Sequence, residues 1–522
     1  MFGAVALAGS TAVAETPVPA GPEGKERHVV LMVWDGMRPD YITADNSPNL
    51  FKLAESGTFF THHHSVYITS TEVNGTALAT GCYPNRSGIM ANLEYRPDMH
   101  LLHAFNTESL SFMRIADALS DGKYLMMPTM AEILQAAGQP TVIAGAKPVV
   151  CLQDRNLNRT SEAARQSVLL YAGATQPQAK LKEIEETIGP YPGPPQIAFV
   201  PNDPQNNWTV SALTDVLWKN GVPKLTVLWM ADPDFSQHQL GPGSFAALPA
   251  IKSNDENLGK VLAALEKKGV RDKTDIFIVS DHGFSTVEQT LDLATLLKTA
   301  GFKVTRYFLE APHPGETLIV ALGGSTLLYV TGHDPAVIQK LVDFLQQSPF
   351  SGPIFTKDAL PGTFALKDAR IDTAWAPDIV FSYRWSEEKS RFGSPGLLIS
   401  EGVKGKLPGF GTHASTSRFD FHNTLVGAGP DIRAGYKDEF PSANVDVAPT
   451  ILYLLGIAPP QPMDGRVLKE ALAAETFAPP AVTTQFLHAK REIEDKKWEQ
   501  YLKYTVFGDW RYLDEGSVGS GE

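Results

Sequence analysis

The sequence predicts an α/β fold: a mostly parallel central sheet sandwiched between helices, with an inserted smaller α+β lobe. Three observations predict it. Short apolar, β-branched runs recur at 28–34, 141–146, 225–231, 275–280, 378–383 and 424–428. Segments with helical spacing, such as Met130–Ala137 and Asn254–Lys267, lie between several of them. Buried strands separated by helices imply a mainly parallel sheet covered on both faces, and ligands then bind at the carboxyl ends of its strands. Polar clusters stand at those ends here: Asp35, Asp232/Asp234 and Asp281-His282 each close an apolar run.

The elements follow in order. The first residues, MFGAVALAGSTAVAET, carry an A-x-A-like site at Ala12-Val13-Ala14, so 1–14 reads as the remnant of a secretory signal peptide and the location as periplasmic or secreted. Residues 25–480 read as one main domain that carries these polar clusters. Within it, 325–345 reads as strand, turn, helix, and roughly 290–400 as the inserted lobe. The Pro/Gly-rich patches at 187–205 and 456–465 read as loops, and His62-His63-His64 as a polar loop. The tail, 481–522, reads as a charged helix over Thr483–Lys503 with Phe486, Ile493, Trp498 and Tyr501 as its apolar positions.

Composition narrows the function classes. The 522 residues are 43% hydrophobic and 20% charged, an ordinary globular profile. The formal net charge of -13 excludes a domain-wide basic field for a nucleic-acid polymer. No later stretch approaches the ~20 continuous apolar residues of a membrane helix. Only Cys82 and Cys151 are present, so no disulfide framework carries the fold.

The polar clusters carry the chemistry. Asp234 and His238 are four residues apart, a spacing that presents both to one ion on a helical turn. Asp232 competes with Asp234, and the spacing favours Asp234. Asp281-His282-Gly283 and Phe410-Gly411-Thr412-His413 are glycine-punctuated loops. Mixed carboxylate and imidazole donors suit zinc best. Two divalent cations about 4 Å apart are the means by which hydrolases activate a nucleophile and neutralise a phosphoryl group. In an acidic chain, metal ions are the ready source of that positive charge.

The ordered set VVLMVWDGMRPDY (29–41), SPNL (47–50), TSTEVNGTALATGCYPNRSGIMAN (69–92), DPDFSQHQLGP (232–242), SDHGFS (280–285), GTHAS (411–415) and DVAPTILYLLGI (446–457) resembles the alkaline phosphatase superfamily. It looks most like the type I phosphodiesterase/nucleotide pyrophosphatase branch. The resemblance implies the alkaline-phosphatase-like fold and two divalent ions, zinc by ligand chemistry. One ion would be held by Asp35, Asp281 and His282 with Thr71 as reactive ligand, the other by Asp234, His238 and His413. Thr71 would be the nucleophile, forming a phospho-threonine, and Asn92 a donor to a phosphoryl oxygen.

The chain also departs from the branch. Glu72, Val73 and Gly75 replace the Phe-Pro-(Asn)-His that commonly follows the nucleophile, while Asn74 is kept. Lys147 matches a lysine of threonine-nucleophile phosphomonoesterases and phosphonoacetate hydrolases of the superfamily. Their second cation two positions on is Val149 here. A lysine over the phosphoryl group favours monoesters or phosphonates, so the phosphodiesterase default stands beside a phosphomonoesterase or phosphonate hydrolase alternative. Arg418, Asp420 and His422 read equally as support and as catalysis. TEVNG lacks the C-x-P-x-R context of a sulfatase, and a lipid-donor phosphotransferase would need membrane helices. A non-catalytic metal-binding relative would be expected to lose a ligand or the nucleophile, and every expected position is filled. The implied substrate is a small phosphate ester; neither a membrane nor a nucleic-acid polymer is an expected partner.

Overall fold

The computed structural model describes residues 26–155, 159–193, 200–402, 407–493 and 496–521. The 1–14 segment lies outside them. Strand β1 (His28–Trp34) shows why a run can be apolar at every position. Val29, Leu31 and Val33 enter one core, and Val30, Met32 and Trp34 enter another on the opposite face. At about 1.5–3 kcal/mol for each fully buried aliphatic side chain, burial on both faces drives this strand to the centre.

Eight further strands complete the main sheet: β2 (Thr58–His64), β3 (Thr141–Gly145), β4 (Val168–Tyr171), β5 (Ala174–Gln176), β6 (Leu225–Met230), β7 (Thr274–Val279), β8 (Leu425–Ala428) and β9 (Tyr436–Ala443). Their order is β9-β2-β8-β7-β1-β6-β3-β4-β5. The inner run β7-β1-β6-β3-β4 is parallel. Two expected strands behave differently. The 424–428 run supplies β8, which pairs antiparallel with β7 and β2. The 378–383 run supplies Ile379–Tyr383, which belongs to the lobe. A buried apolar run states that both faces are covered, not which sheet covers them.

Helix α1 (Thr71–Thr80) is buried throughout; α2 (Asp234–Leu240) and α3 (Ala247–Lys267) follow β6. Ile251, Leu258, Val261 and Leu265 of α3 cover one sheet face. The helix α4 (Val447–Leu454) covers the other through Ile451 and Leu452. The lobe holds a six-stranded sheet, with Ser325–Val330 followed by helix Pro335–Gln347 as expected. Asp334 caps that helix by accepting from the Ala336 and Val337 amides. A four-stranded sheet joins lobe and site, pairing Ser285 with Thr412 and Thr286 with Gly411.

The tail corrects the expected helix. It is a three-stranded antiparallel sheet of β10 (Val482–Ile493), β11 (Lys496–Phe507) and β12 (Trp510–Val518). Along β11, Trp498, Gln500, Leu502 and Tyr504 are buried at every second position, and the intervening residues are more open. That is strand periodicity, masked in the sequence by charged residues on the outer face. The His62-His63-His64 expectation is also corrected: these residues end β2, and His63 and His64 are buried. Cys82 and Cys151 are both buried free thiols.

Candidate active site

Strand register builds the site. Val33 of β1 pairs with Val279 of β7, so Asp35 and Asp281, each two residues further on, emerge side by side. The Gly36 amide confirms this by donating to Asp281 Oδ1 at 3.0 Å. Gly36 has φ +71°, and a Cβ there would stand 3.1 Å from the Asp234 backbone, so glycine is required twice over. At Gly283 the reason is close approach: a Cβ would lie 2.1 Å from the Phe419 carbonyl oxygen.

Three imidazoles are oriented alike. Nδ1 of His238, His282 and His413 faces the carbonyls of Gly411, Gly283 and Thr69 at 3.0, 2.8 and 2.9 Å. A carbonyl only accepts, so each Nδ1 carries the proton and each Nε2 offers a lone pair inward. His282 and His413 stack with ring centroids 3.8 Å apart.

The carboxylates supply the other donors. Asp35 Oδ1, Asp234 Oδ1 and Asp281 Oδ2 are buried with no hydrogen-bond donor. Asp234 Oδ1 lies 3.3 Å from His238 Nε2 and 3.5 Å from His413 Nε2. Asp281 Oδ2 lies 3.3 Å and Asp35 Oδ1 3.7 Å from His282 Nε2. Two sets have donor atoms within 4.8 Å of one another: Asp234, His238 and His413; and Asp35, Asp234 and His282. Buried carboxylate oxygens without donors, beside imidazole lone pairs, fit divalent cations, and the mixed oxygen and nitrogen set fits zinc. Asp234 belongs to both sets, whereas the resemblance allots it to one.

Thr71 opens α1, with its hydroxyl 3.3 Å from His282 Nε2. The helix N-terminus is therefore directed into the centre, where its dipole favours an anion. Lys147, just after β3, sends Nζ to Asp35 Oδ2 at 2.8 Å and Asp234 Oδ2 at 3.1 Å. Burial opposes its charge, but Asp234, Asp35 and Asp281 outweigh that and hold the ammonium well above its ordinary pKa. Burial and Asp281 push Asp35 up. At Asp234 burial is overcome chiefly by the Lys147 ammonium, which holds the carboxyl low. Burial holds His413 well below its ordinary pKa.

Asn92 lines a cleft of about 320 Å³ beside His238 and His413. Its Oδ1 accepts from the Glu72 amide at 3.2 Å, leaving its NH2 as a donor. All nine expected site residues, from Asp35 to His413, are thus drawn to one place. Asp232 is directed elsewhere: it accepts from the Asn202 amide and the Ser236 hydroxyl. Asp420 accepts from Ser285 and Ser415 and the half-buried His422 packs its ring against His64, both supporting roles, while Arg418 pairs with Glu387.

Sequence reasoning missed Trp229, whose indole N–H donates to Asp35 Oδ2 at 2.8 Å. A tryptophan inside a core strand was the available clue, since a buried indole needs an acceptor. It also missed Glu72 and Glu108 as site neighbours. Each has a buried Oε2 without a donor, and burial and their mutual repulsion push Glu72 well above the carboxylate range.

A doubly covered α/β sheet bearing a carboxylate–imidazole centre beside a helix-borne threonine defines an alkaline-phosphatase-type architecture. The family model described as Type I phosphodiesterase / nucleotide pyrophosphatase matches residues 29–387, and the chain belongs to that family, within the alkaline phosphatase superfamily. The mouse ectonucleotide pyrophosphatase/phosphodiesterase family member 3 is 22% identical over 55% of this chain and 28% of its own length. The mouse bis(5'-adenosyl)-triphosphatase enpp4 is 22% identical over 83% of this chain and 78% of its own. The chain thus spans under a third of the first of these relatives. Among solved structures, murine ectonucleotide pyrophosphatase/phosphodiesterase 5 superposes with TM-score 0.60 at 17% identity, over 86% of this chain and all of that one. An inactive threonine-to-alanine variant of the same murine protein, in complex with AMP, gives 0.59 at 18%, with the same coverage. These likenesses establish the fold.

Proposed function

We propose that the chain is a two-metal phosphoric-ester hydrolase, by default a phosphodiesterase or nucleotide pyrophosphatase, acting through a phospho-threonine at Thr71. The observation that carries this is the meeting of one buried threonine hydroxyl with six carboxylate and imidazole side chains from four separate stretches of chain. Divalent ions held by Asp35, Asp281 and His282 and by Asp234, His238 and His413 would favour the alkoxide and neutralise phosphoryl charge.

The remaining roles belong to the chain. Thr71 attacks the phosphorus from the start of α1, whose N-terminal dipole favours the phosphoryl charge. Asn92 donates its NH2 to one of them, a contribution of about 2–4 kcal/mol for a single well-placed donor. The three Nδ1–carbonyl bonds keep each ring turned inward throughout the cycle. The cleft beside His238 and His413 receives the rest of the ester. AMP in the murine neighbour supports a nucleotide ester as substrate here.

Lys147 favours a second reading. An ammonium 2.8 and 3.1 Å from two central carboxylates stands where it would meet an additional phosphoryl oxyanion, and that favours monoesters or phosphonates. A substrate panel with metal analysis tests both. Wild-type protein should bind about two metals per chain and turn over bis-p-nitrophenyl phosphate faster than p-nitrophenyl phosphate. Thr71→Ala should lose nearly all turnover while remaining folded. A strong monoester preference that disappears in Lys147→Ala would replace the diesterase default with the second reading.

A periplasmic or secreted location is proposed with this function, from the Ala12-Val13-Ala14 motif. No described helix is long and apolar enough to cross a membrane. Cell fractionation with sequencing of the mature N-terminus tests the location.

A further inference from the structure

A second cavity, of about 250 Å³, lies where the lobe, the C-terminal sheet and the segment leading to α1 meet. Lys367, Arg370 and Arg511 line it, against one carboxylate, Asp368, which is engaged by the Ala365 amide at 2.9 Å. In a chain of net charge -13, three cations gathered against one carboxylate need a reason.

Their surroundings do not supply it. The Arg370 guanidinium sits 4.1 Å from the centroid of the Tyr83 ring, and that of Arg511 3.4 Å from the centroid of Tyr504. Among the described residues neither arginine, nor Lys367, forms an ion pair with a carboxylate within 4.0 Å, and Arg511 Nε is buried without an acceptor. Arg511 also meets the Tyr504 hydroxyl, but stacking on a phenol face leaves Arg511 Nε and the N–H edge of Arg370 available, and a guanidinium edge matches the paired oxygens of a phosphate. Arg370 closes the Leu366–Ala369 turn as its left-handed cap, φ +56°, its amide donating to the Leu366 and Lys367 carbonyls, which fixes where its side chain starts. The volume falls below the ~300–1,000 Å³ of sites built for larger organic ligands. A compact oxyanion fits it.

We propose that this pocket binds a phosphate-type oxyanion at a site separate from the catalytic centre. Its wall includes Ser65, Val66 and Tyr67, and the same segment continues into Thr69, whose carbonyl orients His413, and then Thr71. The bound anion would therefore sit behind the segment that presents the nucleophile.

Equilibrium dialysis of the metal-loaded enzyme against radiolabelled inorganic phosphate tests the assignment. Bound phosphate per chain is compared for wild type, Arg370→Gly and Arg511→Gln. Each variant should bind one phosphate fewer per chain than wild type, with turnover unchanged in phosphate-free buffer. Arg370→Gly relieves the left-handed backbone, so its melting temperature should not fall. Lys367→Glu, at an exposed side chain, gives the same readout with little risk to the fold and should also lose one phosphate. Equal phosphate binding by wild type and these variants would overturn the proposal.

Discussion

Two groups of buried and half-buried histidines serve opposite ends. In His63 both ring nitrogens are occupied by neutral groups, Ser442 Oγ and Asn444 Oδ1, each at 2.9 Å. His64 turns Nδ1 to the Ser442 carbonyl at 3.1 Å and Nε2 to Asp514 at 3.0 Å, with no third metal-type donor gathered beside them among the described residues. His238, His282 and His413 each give Nδ1 to a carbonyl and turn Nε2 toward the central carboxylates. Capacity for metal thus resides in the convergence of several carboxylate and imidazole donors on one point, not in the number of adjacent histidines. The two groups touch through Asn444, which accepts from His63 and donates to the Asp281 carbonyl at 2.7 Å.

The widest separation between the groups should come from Asp234→Asn. Asp234 belongs to both candidate metal sets, so this change should strip most bound metal and lower turnover by more than the ~10–100-fold typical of partners outside the ligand shell. Metal content and rate retained together would dissolve the distinction between the groups. Asn92→Ala should come next, with kcat down by about 10²–10³-fold and metal content unchanged, as read from steady-state kinetics and elemental analysis. Lys147→Ala should reduce monoester turnover by about 10–100-fold relative to diester turnover, the worth of a hydrogen bond to a charged group. Equal losses on the two substrates would remove Lys147 from discrimination.

His63→Gln sharpens the comparison from the other side. It should leave metal content intact and cost about 1–3 kcal/mol of stability, because Asn444 and Ser442 lose well-placed partners. Burial depresses His63 to about 3 from an ordinary 6.5. Between those values the unfolded chain binds a proton that the folded chain refuses, so stability falls as pH drops through that window. The slope for one such group reaches about 1.4 kcal/mol per pH unit. Denaturant titrations at a series of pH values should show a shallower acid limb in His63→Gln, and an unchanged limb would contradict the assignment.

Legibility in the sequence followed the range of the interaction concerned. The apolar stretch of β1 and the acidic residue closing it are local facts, and they located Asp35. The Asp234–His238 spacing located one helical turn of the site. The tail failed because its deciding partners are distant: Leu502 and Tyr504 pack into the lobe core beside Phe355 and Phe364, and charged neighbours hide the alternation. The histidine triplet was misplaced because nothing near it announces Ser442, Asn444 or Asp514. Trp229 was overlooked because a strand tryptophan reads as core, and only the neighbouring strand reveals that its N–H serves Asp35.

By itself the sequence determined which chemical groups close each buried strand and in what order, because backbone periodicity and side-chain type act over a few residues. Tertiary structure decided which of them meet. It stacked His282 on His413, placed Lys147 between Asp35 and Asp234, satisfied His63 with neutral groups, and gathered Lys367, Arg370 and Arg511 around one cavity. The physical reason is that hydrogen bonds and charge pairs act over a few ångströms, and only strand register and packing bring residues hundreds of positions apart within that reach.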